Sequence, residues 1–414
     1  MAGFGLGMAL LAVATLLAIP TMIKVSGADA WAAIATGQAV GSVGAVLIAY
    51  GWVVSGPAAI ATADATGRRT EYWESLRARL AICLPIIAGC VVVAVLVVQD
   101  GQGLAALGSV STATIGLTAS WYFVGTGQPY RLLLLETAPR VIGTTLGIVL
   151  MDVFQTAAAG LLSQLAGMFV GVLACSVAIL TYHLPKDRPA LRPRPIRTVL
   201  VSQRHGVSSS VVSTTYGAVP IVIVGLVSPS ALPAYAVLDK IQKQIGAAIS
   251  PFVQVFQGWV PRAGRADLKA RARMALMCAV VAGAGLALFL AVIGRPLIGW
   301  LGGGQIEVQT LSIILMAVLI ALNMIESVLS KACLVPLGQI AMVAKITLYG
   351  SICGLALTAV AAWKLGVNGA LGGLIIGLLL RLGLELAVMV RTRIQVEVGP
   401  VQPTTGTLAG PSVV

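Results

Sequence analysis

The feature that most constrains this chain is a long succession of apolar runs separated by short polar segments. Each run has roughly 20 residues or more, enough for an α-helix to cross a hydrocarbon core about 30 Å thick. Twelve such runs lie at 2–23, 31–60, 80–99, 102–125, 131–153, 157–180, 207–228, 231–260, 274–298, 309–330, 341–363 and 366–390. A transmembrane β-barrel would instead show alternating segments of about ten residues. The sequence therefore predicts an all-α, polytopic membrane protein with twelve transmembrane helices.

The amino-acid composition agrees with a membrane protein and argues against several other classes. Hydrophobic residues make up 58% of the chain and charged residues only 10%, and the mean hydropathy is +0.97. A soluble core could not bury that much apolar surface. The six cysteines form no CxxC pair, and there are only two histidines. We therefore expect neither a disulfide framework, a metal centre nor a Ser/His hydrolase site, and no resident cofactor.

The basic residues predict the orientation in the membrane. Most of the 27 Lys and Arg residues follow even-numbered runs or lie in the C-terminal tail, with the largest groups at 68–79, 186–204 and 262–273. Few, such as Lys24, lie at the opposite ends of the runs. By the positive-inside rule, both termini are predicted to be cytoplasmic. The net charge of +13 is then a signal of topology and of attraction to membrane lipids, not of nucleic-acid binding.

Short sequence echoes between the two halves indicate an internal duplication. They are Gly51-Trp52 with Gly258-Trp259, residues 18–38 with 218–240, and Gly127-Gln128 with Gly338-Gln339. Chance similarity between apolar segments is the alternative. Because each half would contain six spans, an even number, both halves would enter the membrane in the same direction. The predicted fold is therefore two six-helix lobes related by a pseudo-two-fold axis along the membrane normal.

The duplication predicts a division of the chain into four parts. The N-lobe, with helices 1–6, covers residues 1–180, and a basic cytoplasmic linker follows at 181–206. The C-lobe, with helices 7–12, covers 207–393. The remaining segment, 394–414, has the composition of a disordered tail.

The eighth run carries polar residues at a helical spacing. They recur every three or four residues and therefore share one face of a helix, at Asp239, Lys243, Gly246, Ser250, Gln254 and Gln257. Lys240 lies beside the first of them. A charge near the bilayer centre costs at least about 2.5–3.5 kcal/mol on insertion scales, so these groups should face protein or water. We interpret the stripe as one wall of a polar cavity between the lobes.

Other ionisable and polar residues in the apolar runs could also serve the cavity. Two pairs are spaced four residues apart, which favours intrahelical ion pairs: Glu136 with Arg140, and Arg381 with Glu385. Glu326 has no partner at a helical spacing and, with Asp239, is the candidate for proton or cation coupling. Gln38 on the second run could bind a polar cargo, although small polar residues in membrane helices more often serve packing.

Three segments carry a family resemblance. They are GQAVGSVGAVLIAYGWVVSGP (37–57), WYFVGTGQPYRLLLLETAPR (121–140) and LDKIQKQIGAAISPFVQVFQGWVPR (238–262). With them, the whole chain resembles the polysaccharide (O-antigen type) flippases of the multidrug/oligosaccharidyl-lipid/polysaccharide exporter superfamily. The resemblance implies two lobes forming a V in a bacterial cytoplasmic membrane. The first run lacks the acid found in drug-exporting relatives, so a coupling site should lie in the C-lobe. The chain also begins almost inside its first helix, without the short cytoplasmic lead usual in such proteins, which indicates either that the true start lies upstream of Met1 or that the protein is a compact variant.

The resemblance implies that the protein flips an undecaprenyl-type lipid-linked oligosaccharide by alternating access, and that a glycan polymerase and a chain-length regulator are partners. In this hypothesis the lipid pyrophosphate is attracted to basic side chains and the glycan passes along amides. The cavity residues predicted to bind substrate are Gln38, Arg140, Lys240, Lys243, Gln254, Gln257 and Arg381. The alternative is a multidrug or metabolite antiporter coupled to a proton or sodium gradient. A membrane enzyme is disfavoured because the predicted outer loops are short.

Overall fold

The computed structural model describes residues 2–181, 194–262 and 267–391, and within them the chain is helical throughout. Twelve helical segments of membrane-spanning length follow each other in these ranges. They are α1 (Ala2–Ser26), α2 (Ala28–Thr62), α3 (Ala65–Val97), α4 (Gln102–Thr126), α5 (Pro129–Phe154), α6 (Ala157–Thr181), α7 (Ile196–Val227), α8 (Leu232–Trp259), α9 (Leu268–Leu301), α10 (Thr310–Leu334), α11 (340–365) and α12 (367–391). The predicted all-α, twelve-helix fold is confirmed.

Helices α11 and α12 form a tight antiparallel hairpin although the backbone between them is almost continuously helical. Gly366 interrupts the run Ile340–Arg391 with φ 55° and ψ −130°. Glycines then let the two backbones approach closely: a Cβ atom added at Gly377 would lie 2.4 Å from the Cα of Gly354, and one added at Gly373 would lie 2.5 Å from the amide nitrogen of Thr358. Close contact through small residues is a common way for membrane helices to associate.

Helices α7 and α8 are less apolar than the other ten helices, and in α8 this is due to the polar stripe. Among the described residues, nine stretches are long and apolar enough to cross a membrane, and the hairpin counts as one of them. In α7 only Thr214–Val227 reaches that apolar character. Helix α8 does not, because its polar stripe occupies one full face. Charged and amide side chains on a buried helix are expensive unless they line water or protein.

The two lobes share a helix-ending motif that supports the duplication. Gly127 ends α4 with φ 66°, and Gly338 follows α10 with φ 77°. The next residue in each case donates its backbone N–H to the carbonyl five residues back, Gln128 to Phe123 at 3.0 Å and Gln339 to Leu334 at 3.1 Å. A left-handed glycine closed by such a bond is a Schellman-type helix end. The fourth helix of each lobe therefore ends in the same way.

The other echo, Gly51-Trp52 with Gly258-Trp259, has different backbone geometry in the two lobes. Tyr50 and Gly51 both have positive φ, 45° and 84°, and they bend α2, which then continues from Trp52 to Thr62. Trp259 is instead the last residue of α8. Gly51-Trp52 therefore bends α2 in mid-span, whereas Gly258-Trp259 closes α8. A left-handed glycine can be followed by a new helix as readily as by a loop.

The lobes meet at one end of the bundle and separate towards the other. One buried core cluster joins Ile23 and Trp31 of the N-lobe to Tyr235 and Leu371 of the C-lobe. These residues lie near the ends of the helices remote from the basic segments; we call this the far end, and the opposite one the basic end. At the basic end, Val54 of α2 instead borders a further cavity together with Ser210 and Thr214 of α7. The cleft between the lobes is therefore closed at the far end.

The predicted linker and tail can be followed only in part. Helix α7 begins at Ile196 and its first turns pack against the N-lobe, where Val199 lies in one buried cluster with Tyr72 of α3. Residues 182–193 of the linker and the whole predicted tail lie outside the described residues. The lobe boundaries at 180 and 207 stay predictions.

Candidate functional site: the cleft between the lobes

The predicted polar stripe of α8 lies on the wall of a cavity of about 440 Å³. All six stripe residues, Asp239, Lys243, Gly246, Ser250, Gln254 and Gln257, line it. The rest of its lining comes from α7, α10 and α12, including Tyr216 and Asn323, so this cavity lies within the C-lobe and faces the N-lobe side only at Asp239 and Lys243. From Asp239 to Gln257 the stripe runs about 27 Å along the helix at 1.5 Å per residue. The structure thus brings Gln254 and Gln257 to the place that the helical spacing predicts.

A second cavity, of about 250 Å³, lies on the N-lobe side of the first. It is lined by Gln38 of α2, Arg140 of α5 and Lys240 of α8. Asp239 and Lys243 line both cavities. Six of the seven predicted substrate-binding residues therefore border two adjoining cavities that meet at the Asp239–Lys243 position.

Direct hydrogen bonds link the lobes beside these cavities. The ammonium group of Lys240 donates to Gln38 Oε1 at 3.0 Å, and Gln244 Nε2 donates to Thr15 Oγ1 at 3.4 Å. Gln38 and Lys240 are the last residues of the two echoed segments, 18–38 and 218–240. The contact therefore joins the two echoed segments.

Burial along α8 shows how the cleft is shaped. Tyr235 and Val237, near the far end, are at most 1% exposed, whereas the stripe residues Lys243, Gly246 and Gln254 are exposed. The polar face of α8 is therefore closed at the far end and accessible from Lys243 towards the basic end.

The cavity lining carries more positive than negative charge. Asp239 accepts from the Lys243 ammonium at 2.7 Å, so its charge is compensated within α8. Lys240 and Lys331 line the cavities without a carboxylate within 4 Å among the described residues. Because Asp239 is paired with Lys243, it is not a free carboxylate. This pairing differs from the free acid expected of the proton- or cation-coupling group that the sequence suggests.

Arg140 lies in the second cavity close to a buried acid, but the pair is loose. Its guanidinium is 3.9 Å from Glu136 Oε1, in the predicted spacing of four residues. The other carboxylate oxygen of Glu136 accepts the backbone N–H of Ala119 at 2.8 Å. Glu136 therefore also accepts a hydrogen bond from α4. Because its contact with Arg140 is loose, the Arg140 guanidinium can contact a cargo from the cavity side.

Glu326 and Arg381 form a buried ion pair between α10 and α12. Glu326 is 6% and Arg381 is 7% exposed. The expectation that Glu326 lacks a partner is therefore wrong, because the sequence spacing could not show a partner on another helix. Arg381 also does not line either described cavity. Its guanidinium lies behind the wall, 5.9 Å from the ring of Tyr216, so a direct contact with cargo is not available to it in this conformation.

The N-lobe holds a buried charged site that sequence reasoning missed. Helix α4 is broken at Thr118–Ala119, and Arg79 of α3 donates to the carbonyl oxygens of Gly116 at 3.1 Å and Thr118 at 2.8 Å. Glu136 accepts the N–H of Ala119 on the other side of the break. Arg79, counted among the cytoplasmic basic residues from its place in the sequence, is 1% exposed. Its position five residues after the buried Glu74 gave no signal of this role.

A second missed cluster fastens the start of α7 to the N-lobe. Glu74 is buried and accepts three hydrogen bonds from Arg194, from its backbone N–H at 2.6 Å and its side chain at 2.7 and 2.9 Å. This carboxylate raises the pKa of Arg194 above its ordinary value. Glu71 also faces Arg194, at 3.4 Å, and accepts from the indole N–H of Trp52 at 3.1 Å. The Gly-Trp motif is therefore part of this anchoring site.

Comparison with known proteins yields structural neighbours only. No family model and no curated protein matches the chain. A solved structure described as the inward-facing conformation of a multidrug resistance MATE family transporter of the MOP superfamily matches with a TM-score of 0.65 at 17% identity, covering 92% of this chain and 98% of that one. The chain has the fold of the MATE transporters.

Two further structures support the same fold. The eukaryotic MATE transporter AtDTX14 matches with a TM-score of 0.57 at 16% identity, over 94% of this chain and 93% of that one. An outward-facing conformation of a multidrug resistance MATE family transporter matches with a TM-score of 0.52 at 13% identity, over 94% of both chains. The twelve-helix, two-lobe fold of these neighbours is the fold expected from the sequence, whereas the flippase branch gains no support from them.

Proposed function

We propose that this protein is a membrane transporter that works by alternating access, with the cleft between its lobes as the cargo site. The observation that carries the proposal is the burial gradient along the polar face of α8, from the tightly packed Tyr235 to the exposed Gln254, beside two adjoining polar cavities. A cleft closed at one end and open at the other is one of the two states that alternating access requires. The basic end, predicted to be cytoplasmic, is the open end here.

The charge of the cleft supports an anionic, amphiphilic cargo. Lys240, Lys243, Lys331 and Arg140 border the cavities, and Asp239 is already paired with one of them. Ammonium and guanidinium groups form charge-assisted hydrogen bonds with carboxylate and phosphate oxygens, and they do so most strongly away from bulk water. Amide groups of Gln254 and Gln257 extend the polar wall for the uncharged part of the cargo.

A cation-coupled antiporter of drugs or metabolites is the transporter class best supported by the neighbours, since the structures that share the fold are described as multidrug transporters. With this lining, the metabolites it accepts would be organic anions. In a bacterial cell it would reside in the cytoplasmic membrane with both termini inside.

Flipping of an undecaprenyl-type lipid-linked oligosaccharide is the second candidate. The basic lining favours it because a lipid pyrophosphate is an amphiphilic anion, and the resemblance of residues 37–57, 121–140 and 238–262 to polysaccharide flippases points the same way. A glycan polymerase and a chain-length regulator would then be its functional partners.

Transport by the purified protein in proteoliposomes tests the proposal and separates the two candidates. We expect uptake of a fluorescent organic anion, or transbilayer movement of a labelled polyprenyl pyrophosphate saccharide, and no uptake of a cationic dye. Substituting Arg140, Lys240 and Lys243 together by alanine should abolish that activity. A matched variant with Ala at Arg295, Lys345 and Lys364, which are exposed and border neither cavity, should retain it. Equal activity of the two variants, or preference for the cationic dye, would contradict the anionic cargo.

A further inference from the structure

Glu385 is the most anomalous charged residue in the described part of the chain. It lies on α12 with 0% of its surface exposed, and neither carboxyl oxygen has a hydrogen-bond partner among the described residues. Buried polar groups in proteins are almost always hydrogen-bonded, and a buried carboxylate without partners is among the most expensive arrangements. A carboxyl group in this environment is therefore expected to bind a proton or a cation, or to have a function that offsets the energetic cost of its burial.

The neighbouring ion pair does not compensate Glu385. Arg381 is one helical turn earlier on α12, where it could reach Glu385, but its terminal nitrogen is bonded to Glu326 of α10. The Nε atom of Arg381 has no hydrogen-bond partner among the described residues. Two carboxyl groups thus compete for one guanidinium, and with both ionised the cluster would carry a net charge of −1 inside the lobe.

Among the described residues, the other helices around this cluster supply no second cation to it. Helix α7 contributes Tyr216, whose ring lies 5.9 Å from the Arg381 guanidinium. Helix α11 contributes Gly350, where an added Cβ would lie 2.2 Å from Cγ of Arg381, and its Lys345 is exposed at the surface. On α10, Lys331 lines the cavity instead. Glycine at 350 leaves the space in which the Arg381 side chain lies.

We propose that Glu385 is a proton-binding site and that Arg381 exchanges between Glu326 and Glu385 as this proton is bound and released. In the conformation seen here Glu385 holds the proton and Arg381 is bonded to Glu326. When the proton leaves, Glu385 becomes a carboxylate one turn from Arg381 and competes for the guanidinium. The bond that ties α10 to α12 is weakened as a result.

A proton fits this site better than a metal ion. Hard metal cations take about six or more oxygen ligands, whereas this cluster offers two carboxyl groups and places a guanidinium beside them. Among the described residues, no group of three or more His, Cys, Asp or Glu side chains is positioned to hold a metal. A protonated carboxyl group needs no further ligands.

The site is placed to act on the cleft, and this part of the inference depends on the proposed transport function. Asn323 and Ser327, on either side of Glu326 in α10, line the larger cavity, and so does Tyr216. A change in the Glu326–Arg381 ion pair, which connects α10 to α12, therefore affects the cavity wall directly. Proton release at Glu385 would alter the wall that faces the cargo.

Infrared difference spectroscopy of the purified, cargo-free protein tests the proton site itself. The protein is shifted between neutral and alkaline pH, and the carbonyl stretch of protonated carboxyl groups is recorded. We expect wild type to show a protonated carboxyl band at neutral pH that disappears at alkaline pH, and we expect this band to be lost in Glu385→Gln. The control Glu307→Gln, which removes an exposed acid, should keep it. An unchanged band in Glu385→Gln, or no band in wild type, would overturn the proposal.

Thermal stability in detergent gives a second, independent measurement. Glutamine imitates a protonated carboxyl group, so Glu385→Gln should keep the apparent melting temperature of wild type at neutral pH, whereas Glu326→Gln should lower it by breaking the ion pair. An equal loss in both variants would show that Glu385 is ionised and would refute the assignment. Stabilisation of wild type by sodium chloride beyond that by choline chloride would indicate a metal ion and also overturn it. Because neither assay uses cargo, failure of the transport proposal would leave these outcomes interpretable.

Discussion

Replacing Arg79 by methionine is the sharpest test of how the broken helix α4 is held. The guanidinium of Arg79 is buried and donates to two carbonyl oxygens, those of Gly116 and Thr118, at the break. Methionine keeps an apolar side chain of similar length but has no N–H groups to donate. The variant therefore removes the hydrogen bonds while leaving most of the packing in place.

The magnitude follows from the groups left without a partner. Each buried carbonyl that loses its donor costs about 1–3 kcal/mol, so two of them set an upper range of about 2–6 kcal/mol. Interhelical hydrogen bonds in membrane proteins often measure less, about 0.6 kcal/mol on average, and removing a buried charge recovers some desolvation energy. We therefore expect a loss of about 2 kcal/mol in the free energy of unfolding.

Unfolding in mixed detergent micelles with increasing dodecyl sulfate, followed by circular dichroism, measures this loss. Arg77→Met is the matched control, because Arg77 lies on the same helix and its one hydrogen bond among the described residues, at 3.4 Å to the carbonyl of Arg194, is exposed. A double variant with Glu136→Gln should lose less than the sum of the two single losses, since both side chains serve the same break. If Arg79→Met unfolds at the same detergent composition as Arg77→Met, the guanidinium does not hold α4 and the reasoning fails.

Three more predictions follow from single contacts. Gly377→Ala should destabilise the α11–α12 hairpin by about 1–3 kcal/mol through overpacking, whereas Gly372→Ala, which meets open space, should unfold like wild type in the same detergent titration. Glu74→Gln should release the start of α7, so hydrogen exchange of the amides just after Arg194 should become faster, and unchanged protection would contradict the anchoring role. Lys240→Met removes a bond between the lobes and should raise the reactivity of a cysteine probe placed at the far end; equal labelling would show that the bond does not help to close the cleft.

Sequence patterns were sufficient for the fold and for the face of α8 that borders the cleft. Both depend on local periodicity: run length sets a membrane span, and spacing by three or four residues sets a helix face. Gln254, Gln257 and Asp239 lie on one face of the same helix, and all three therefore line the cavity. The two-lobe arrangement could likewise be read from the echoes, since an even number of spans fixes their relative direction.

The partners of buried charges could not be predicted in this way. Arg381 and Glu385 have the spacing of an intrahelical pair, yet Arg381 bonds to Glu326, 55 residues earlier on another helix. Arg79 likewise serves backbone carbonyls of α4, and Glu74 is reached by Arg194 across 120 residues. In each case a contact between helices outweighs the weak attraction of about 0.2–0.5 kcal/mol that sequence spacing suggests. Such pairing depends on how the helices pack, which no local pattern encodes.

The two lobes bury opposite excess charge, and this difference locates where the protein can respond to pH. In the N-lobe, Glu136 lies between two guanidinium groups, those of Arg79 and Arg140, so the cluster has one positive charge more than it can compensate. In the C-lobe, Arg381 lies between two carboxyl groups, so the excess is negative. A guanidinium does not release its proton in a protein, whereas a carboxyl group can take one up.

Glu136 has two guanidinium groups to stabilise its carboxylate, whereas Glu326 and Glu385 share one, so the C-lobe cluster has the stronger reason to bind a proton. A transporter that draws on a proton gradient needs a proton-binding group beside its cleft. This predicts that Glu385→Gln removes the pH dependence of transport in proteoliposomes, while Glu136→Gln changes stability and leaves the shape of the pH profile intact. A pH profile altered equally by both substitutions would show that the asymmetry between the lobes has no role in coupling.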